Sequence, residues 1–150
     1  MKQLPEKLEE TLALDPAINE MAEAFADKVE YVARAYDFGG TAISPALSFA
    51  KTLFARDATL ATRQVIDLSG DGRVSVGSEP TGLRNQIVAA GITINGLPIL
   101  NEEPELDLYV SESVIGGQGA FVEPAQDYSD FARAIETKLA REIKGVWFGM

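Results

Sequence analysis

Residues 63–69, Arg63-Gln64-Val65-Ile66-Asp67-Leu68-Ser69, make the strongest demand on any fold this chain can adopt. Val65, Ile66 and Leu68 put apolar side chains on both faces of one short extended segment. Such a strand belongs inside a sheet that is covered on both sides, as parallel strands are in α/β proteins. It then breaks into Gly70-Asp71-Gly72, a carboxylate–glycine turn.

The rest of the chain supplies the covering elements. Residues 5 to 14 have weak helical character, and Asp15-Pro16 starts a helix. Ile18, Met21, Ala22, Phe25, Val29 and Val32 then recur at helical spacing, an amphipathic stripe running to about Tyr36. Such a stripe packs on a sheet or on another helix. Gly39-Gly40 ends it, and Ser44-Pro45 opens the next helix, with Ser44 as N-cap, to about Arg56. After the strand at 63–69, a helix is expected from about Pro80 to Ala90, capped by Gly91, then a second strand over Ile92–Ile99. Pro104 opens a short helix, and Ala120-Phe121-Val122 reads as a third strand. The last helix is expected over 128–143, with Phe131, Ala134, Ile135, Leu139 and Ile143 on one face. Strands alternating with helices imply parallel crossovers. The expected fold is therefore α/β: a three-layer, mostly parallel sheet of about three strands flanked by helices.

Composition narrows the function. The net charge of −10 disfavours nucleic acid and anionic membranes as partners. The chain has no His, which excludes a Ser-His-Asp relay, and no Cys, which excludes disulfides and thiolate metal sites. The N-terminus has no signal-peptide pattern, so a cytoplasmic location is the default expectation. No apolar run is long enough to span a bilayer.

Two turns offer oxygen ligands to a hard cation: Gly39-Gly40-Thr41-Ala42-Ile43-Ser44, and the turn after Ser69. Thr41 and Asp71 are the candidate donors, with Ser69 a poorer third. Two or three such oxygens are few for Mg²⁺, which takes about six including its waters. The plain alternative is that Thr41 caps a turn and Asp71 is an ordinary turn residue. Asp67-x-Ser69-x-Asp71-Gly72 also resembles the start of an EF-hand loop, but position twelve is Ser78 and Glu79 comes one residue late. Gly116-Gly117-Gln118-Gly119 lacks the Lys-Ser/Thr of a phosphate loop and precedes a strand, so it reads as a simple loop. Arg73 and Arg84 offer charge to an anion near Asp71, or merely solubility. Trp147 and Phe148 either dock on the core or form an apolar patch.

Several of these segments resemble a known family. Gly39 to Leu47, with the pattern Gly-Gly-Thr-x-Ile-x-x-Ala-Leu, resembles the threonine loop of von Willebrand factor type A domains. Arg63 to Gly72 resembles the strand and Asp-Gly turn that follow it. Ala89–Ile99 and Val114–Val122 are similar to a bacterial branch of that superfamily with no assigned function (domain of unknown function 1194). The likeness covers roughly residues 25 to 143. The resemblance implies a Rossmann-like sheet with one divalent cation at its C-terminal edge, held in a metal-ion-dependent adhesion site. By that likeness Thr41 and Asp71 are ligands. The Asp-x-Ser-x-Ser turn that completes the family site matches nothing here, nor do its strand and helix. The chain therefore resembles the C-terminal half of the domain (residues 21–150) behind a helical leader (residues 1–20).

Two classes of function follow. One is a non-enzymatic protein-interaction module with an incomplete metal site, weak or absent Mg²⁺ binding, and partner-binding loops at Gly39, Gly40, Ser44, Gly72 and Arg73. The other is a small metal-dependent hydrolase using Asp67 or Asp71, which the lack of His and of a nucleophile elbow disfavours. A truncated family member with no function of its own is the third reading. The bare edge of the strand at 63–69 further implies a homodimer, because an apolar edge recruits another strand.

Overall fold

The computed structural model describes residues 40–56 and 61–145, with Ala24 alone before them. The chain divides into two units, Met1–Phe38 and Gly39–Met150, and the two described segments belong to the second. The expected helical leader, the stripe from Ile18 to Val32, Gly39, and the Trp147-Phe148 tail lie outside the described residues.

Helix α1 spans Ile43–Arg56. Its first intrahelical bond runs from the Ala46 amide to the Ala42 carbonyl at 3.1 Å, so Ala42 and not Ser44 holds the cap position. The Ser44 hydroxyl instead donates to the Ser78 carbonyl at 2.7 Å, tying the helix start to a later loop. Pro45 sits in the first turn, where a missing N–H costs no helical bond.

Strand β1 spans Gln64–Gly70, helix α2 spans Thr81–Ala89, and strand β2 spans Ile92–Pro98. The three form a βαβ unit. Its strands are parallel, in register from Gln64↔Ile92 to Gly70↔Pro98. The turn from α2 into β2 needs a left-handed residue, and Gly91 supplies it at φ +83°. Helix α3, Leu106–Tyr109, runs on into a single π-helical turn at Val110–Val114. Helix α4 spans Phe131–Gly145.

The expected third strand does not form: the sheet has two strands among the described residues. The segment after the glycine loop does lie along β2, but among the described residues it forms only isolated parallel bridges there, Gly96↔Val122 and, just past the end of β2, Ile99↔Ala125. A regular ladder between those points would need an N–H from Pro98 to the Glu123 carbonyl, and proline has none. Upstream, Ile94 and Gly116 exchange antiparallel bonds of 2.8 and 3.2 Å. Together with β1 these contacts leave every residue of β2 buried.

Register assigns the two faces of the sheet. Ile66, Leu68, Ile92 and Ile94 pack with Ile43, Leu47, Ile87, Leu106 and Val114 in the main core beneath α1, α2 and α3. The opposite face carries Asp67 beside Asn95 and Ser69 beside Leu97, and α4 covers it. The first half of α4 packs conventionally, with Phe131, Ala134 and Ile135 against Leu97, Ile99 and Ala125. Its second half does not follow the expected apolar face. Leu139 is 46% exposed, while the side chain of Lys138 is fully buried. The helix is turned so that Lys138 meets Asp67 of the sheet, while Glu142 one turn on meets Asn95. Among the described residues, no helix is long and apolar enough to cross a membrane.

Candidate functional site

The two strands end together at Gly70 and Pro98, and α1 begins beside them. This is the carboxyl edge of a parallel pair, where open α/β sheets bind ligands. A cavity of about 150 Å³ lies there. Thr41, Ser69, Gly70 and Gly72 line it, so residues of two distant sequence turns converge there. Two carbonyl bonds fix the Thr41 loop: the amides of Ser75 and Val76 both donate to the Thr41 carbonyl, at 2.9 and 3.2 Å. In return the Thr41 amide donates to Ser75 Oγ at 2.8 Å. Gly72 lies against Thr41, whose Oγ1 is 3.5 Å from where a Cβ of residue 72 would stand. Gly40 is packed onto Ser75 and Val76 so closely that a Cβ there would overlap both side chains.

The carboxylates face elsewhere. Asp71 is exposed, and its Oδ2 accepts the hydroxyl of Tyr128 from the loop before α4. That bond to a carboxylate raises the Tyr128 hydroxyl above its ordinary pKa. Arg73 is ion-paired with Glu103, and its guanidinium stands 5.0 Å above the ring of Tyr109. The Tyr109 hydroxyl donates in turn to Glu79 at 3.1 Å. These contacts brace the β1–α2 loop against the loop before α3. Arg84 is spent at the end of the π turn, donating to the carbonyl of Ile115 at 2.7 Å. In the Gly116-Gly119 loop, glycine serves close approach: a Cβ at Gly117 would stand 2.8 Å from the Cα of Thr93.

Asp67 belongs to a second polar centre, on the α4 face. Lys138 Nζ contacts its carboxylate and donates to Glu142 Oε1 at 2.8 Å. Glu142 also accepts the side-chain amide of Asn95 at 2.8 Å, and Asn95 Oδ1 accepts the Phe121 N–H at 3.1 Å. Partial burial raises the Asp67 pKa above its ordinary value, and the neighbouring Glu142 adds to this against the pull of Lys138. For Glu142 burial also opposes ionisation, but bonds from Lys138, Asp67 and Asn95 outweigh it and lower the pKa. Sequence reasoning missed Lys138 altogether. The one available signal was the polar pair Asp67 and Asn95 at inward positions of both strands.

Among the described residues, no group of three or more His, Cys, Asp or Glu side chains is placed to hold a metal ion. The features so far define a small α/β domain: a parallel βαβ unit with a cavity at its strand ends. The chain belongs to the family described as protein of unknown function (DUF1194), which matches residues 17–147. No curated protein and no solved structure shows significant similarity to it.

Proposed function

We propose that this chain is a non-enzymatic, von Willebrand factor A-like interaction module that meets a protein partner at the strand-end loops. The observation that carries this reading is the convergence of Thr41, Ser69 and Gly72 on one cavity at the carboxyl edge of the β1–β2 pair. Gly40, Ser44 and Arg73 belong to the same loops and support their shape rather than bind. The donor set does not fit a resident divalent cation. Thr41 contributes one hydroxyl, Ser69 shares the α4 face of the sheet with Asp67, and the Asp71 carboxylate is engaged by Tyr128. A hard cation needs more oxygens than that. The hydrolase reading gains nothing from the geometry, because Asp67 and Asp71 are held by different partners.

Calorimetric titration with Mg²⁺, Mn²⁺ and Ca²⁺ tests the metal part: affinity is expected to be millimolar or absent. Micromolar binding lost in Asp71→Ala would overturn it. A screen with activated ester and phosphate substrates tests the enzymatic part, and turnover abolished by Asp67→Asn or Asp71→Asn would overturn that. We further propose that the molecule self-associates through the edge of β1, which pairs only with β2 among the described residues.

A further inference from the structure

Two steps in the sequence invite the same backbone chemistry, Asp71-Gly72 and Asn95-Gly96. In each, a glycine amide nitrogen follows a side-chain carbonyl carbon that it can reach by closing a five-membered ring. Glycine favours the closure because it has no side chain to obstruct the attack and leaves the backbone free to turn. No other Asp or Asn of the chain precedes a glycine.

The fold treats the two steps oppositely. Asn95 is 3% exposed, within β2. Its side-chain amide donates to Glu142 at 2.8 Å, and its Oδ1 accepts the Phe121 N–H at 3.1 Å. The Gly96 N–H is held as well, donating to the Phe121 carbonyl at 3.1 Å. Neither reacting group is free to move toward the other. Asp71 is exposed, just past the end of β1. The Gly72 amide donates to no backbone carbonyl among the described residues. One exposed contact, the hydroxyl of Tyr128, ties the Asp71 carboxylate to the loop before α4. A lone hydrogen bond in water contributes little net stability and opens readily.

We infer that Asp71 is a site of spontaneous isomerisation to isoaspartate, guarded by the Tyr128 hydroxyl. The Gly72 nitrogen attacks Asp71 Cγ. The N–Cγ bond forms, the Cγ–OH bond breaks, and the amide proton leaves with the hydroxyl as water. Water then opens the succinimide. Addition at Cγ restores aspartate. Addition at the main-chain carbonyl carbon breaks that carbon's bond to the Gly72 nitrogen and leaves the backbone running through Cγ. No oxidant, reductant or cofactor is consumed. The Asp71 carboxyl must leave Tyr128 before its Cγ meets the nitrogen, so that contact slows the reaction. The product adds a methylene to the backbone beside Gly72, which lies against Thr41. The site stands apart from the interaction-module reading, although the loop it lengthens is one that reading uses.

The full chain is aged at neutral pH in heavy-oxygen water, and its tryptic peptide Gln64–Arg73 is read by electron-transfer fragmentation, which separates isoaspartate from aspartate. Heavy oxygen and isoaspartate are expected to build up at Asp71 severalfold faster than at Asp67, which precedes Leu68 in the same peptide. Asn95, where ammonia would leave in place of water, is expected to stay an amide in the folded chain and to deamidate in urea. Gly72→Ala has room, since Thr41 Oγ1 lies 3.5 Å from the new Cβ, and is expected to slow the reaction severalfold. Tyr128→Phe is expected to quicken it severalfold. Equal conversion at Asp67 and Asp71, or undiminished conversion in Gly72→Ala, would overturn the site. A Tyr128→Phe rate no faster than wild type would overturn the guard. Deamidation of folded Asn95 as fast as in urea would mean that sequence alone sets the reactivity, and would overturn the contrast drawn from the fold.

Discussion

Lys138 shows how one residue can decide the seating of a helix. A lysine side chain with no exposed surface is tolerated only when its charge is matched, and here the carboxylates of Asp67 and Glu142 flank it. Lys138→Met keeps the volume and removes the charge, leaving Asp67 and Glu142 to repel each other. Removing one partner of a buried pair costs about 3–5 kcal/mol. Because Asp67 is 41% exposed, the lower end of that range is expected. Urea unfolding of wild type and variant at neutral pH measures it, and an equally stable variant would refute the network's role. The two carboxylates also give opposite pH dependences. Asp67, raised in the folded state, contributes stability below its unfolded pKa and loses it as pH rises through the raised value. Glu142, depressed, contributes above its unfolded pKa and loses stability as pH falls through its lowered value. Asp67→Asn removes the first, while Lys138 and Asn95 still bond Glu142. The stability of wild type relative to Asp67→Asn is therefore expected to be greater near pH 4 than at pH 7, by urea midpoints at both values. None of this was legible beforehand. Helical periodicity marks Leu139 as inward, and a one-residue rotation of the face becomes visible only when the polar face of the sheet is known.

At the scale of elements the sequence was far more readable. Helix α1, the β1–α2–β2 unit and α4 were all found, with ends within a few residues, because long apolar periodicity and glycine caps are local signals. The third strand was not, because its failure depends on Pro98 falling where a non-local ladder needs an N–H. The site was legible in part for the same reason. Thr41, Ser69 and Gly72 sit where their elements put them, whereas the direction of Asp71 is set by Tyr128, 57 residues away in sequence. The glycine loop beside β2 offers a test at this scale. Gly117 has φ +101°, and a Cβ there would stand 2.8 Å from the backbone of Thr93. Backbone strain of that kind costs about 1–3 kcal/mol before the overlap is relieved. Gly117→Ala is therefore expected to lower thermal stability clearly, while Gly82→Ala, with nothing within 4 Å, is expected to be harmless or mildly stabilising. Equal melting temperatures for the two variants would show that the loop does not need its close approach to β2.

For the whole molecule the decisive question is the outer edge of β1. Strand β2 is satisfied on both sides, by β1 and by the bridges at Gly116, Val122 and Ala125. Strand β1 pairs on one side only among the described residues. Its sequence contains neither Pro nor Lys, the usual guards of an edge, and a helix laid over a face cannot bond a row of edge amides and carbonyls. A two-fold dimer that pairs β1 with its copy would satisfy those groups in both chains at once, since an isologous contact uses the same surface twice. Two-fold pairing of one strand with itself is necessarily antiparallel, so the joined sheet would be mixed, parallel within each chain and antiparallel across the junction. Sedimentation velocity over a concentration series is expected to show a reversible monomer–dimer equilibrium. Val65→Lys, which places a charge on the edge strand, is expected to shift that equilibrium to monomer without unfolding the chain. A compact monomer at high concentration would refute the self-pairing, and would mean that residues outside the described segments complete the sheet.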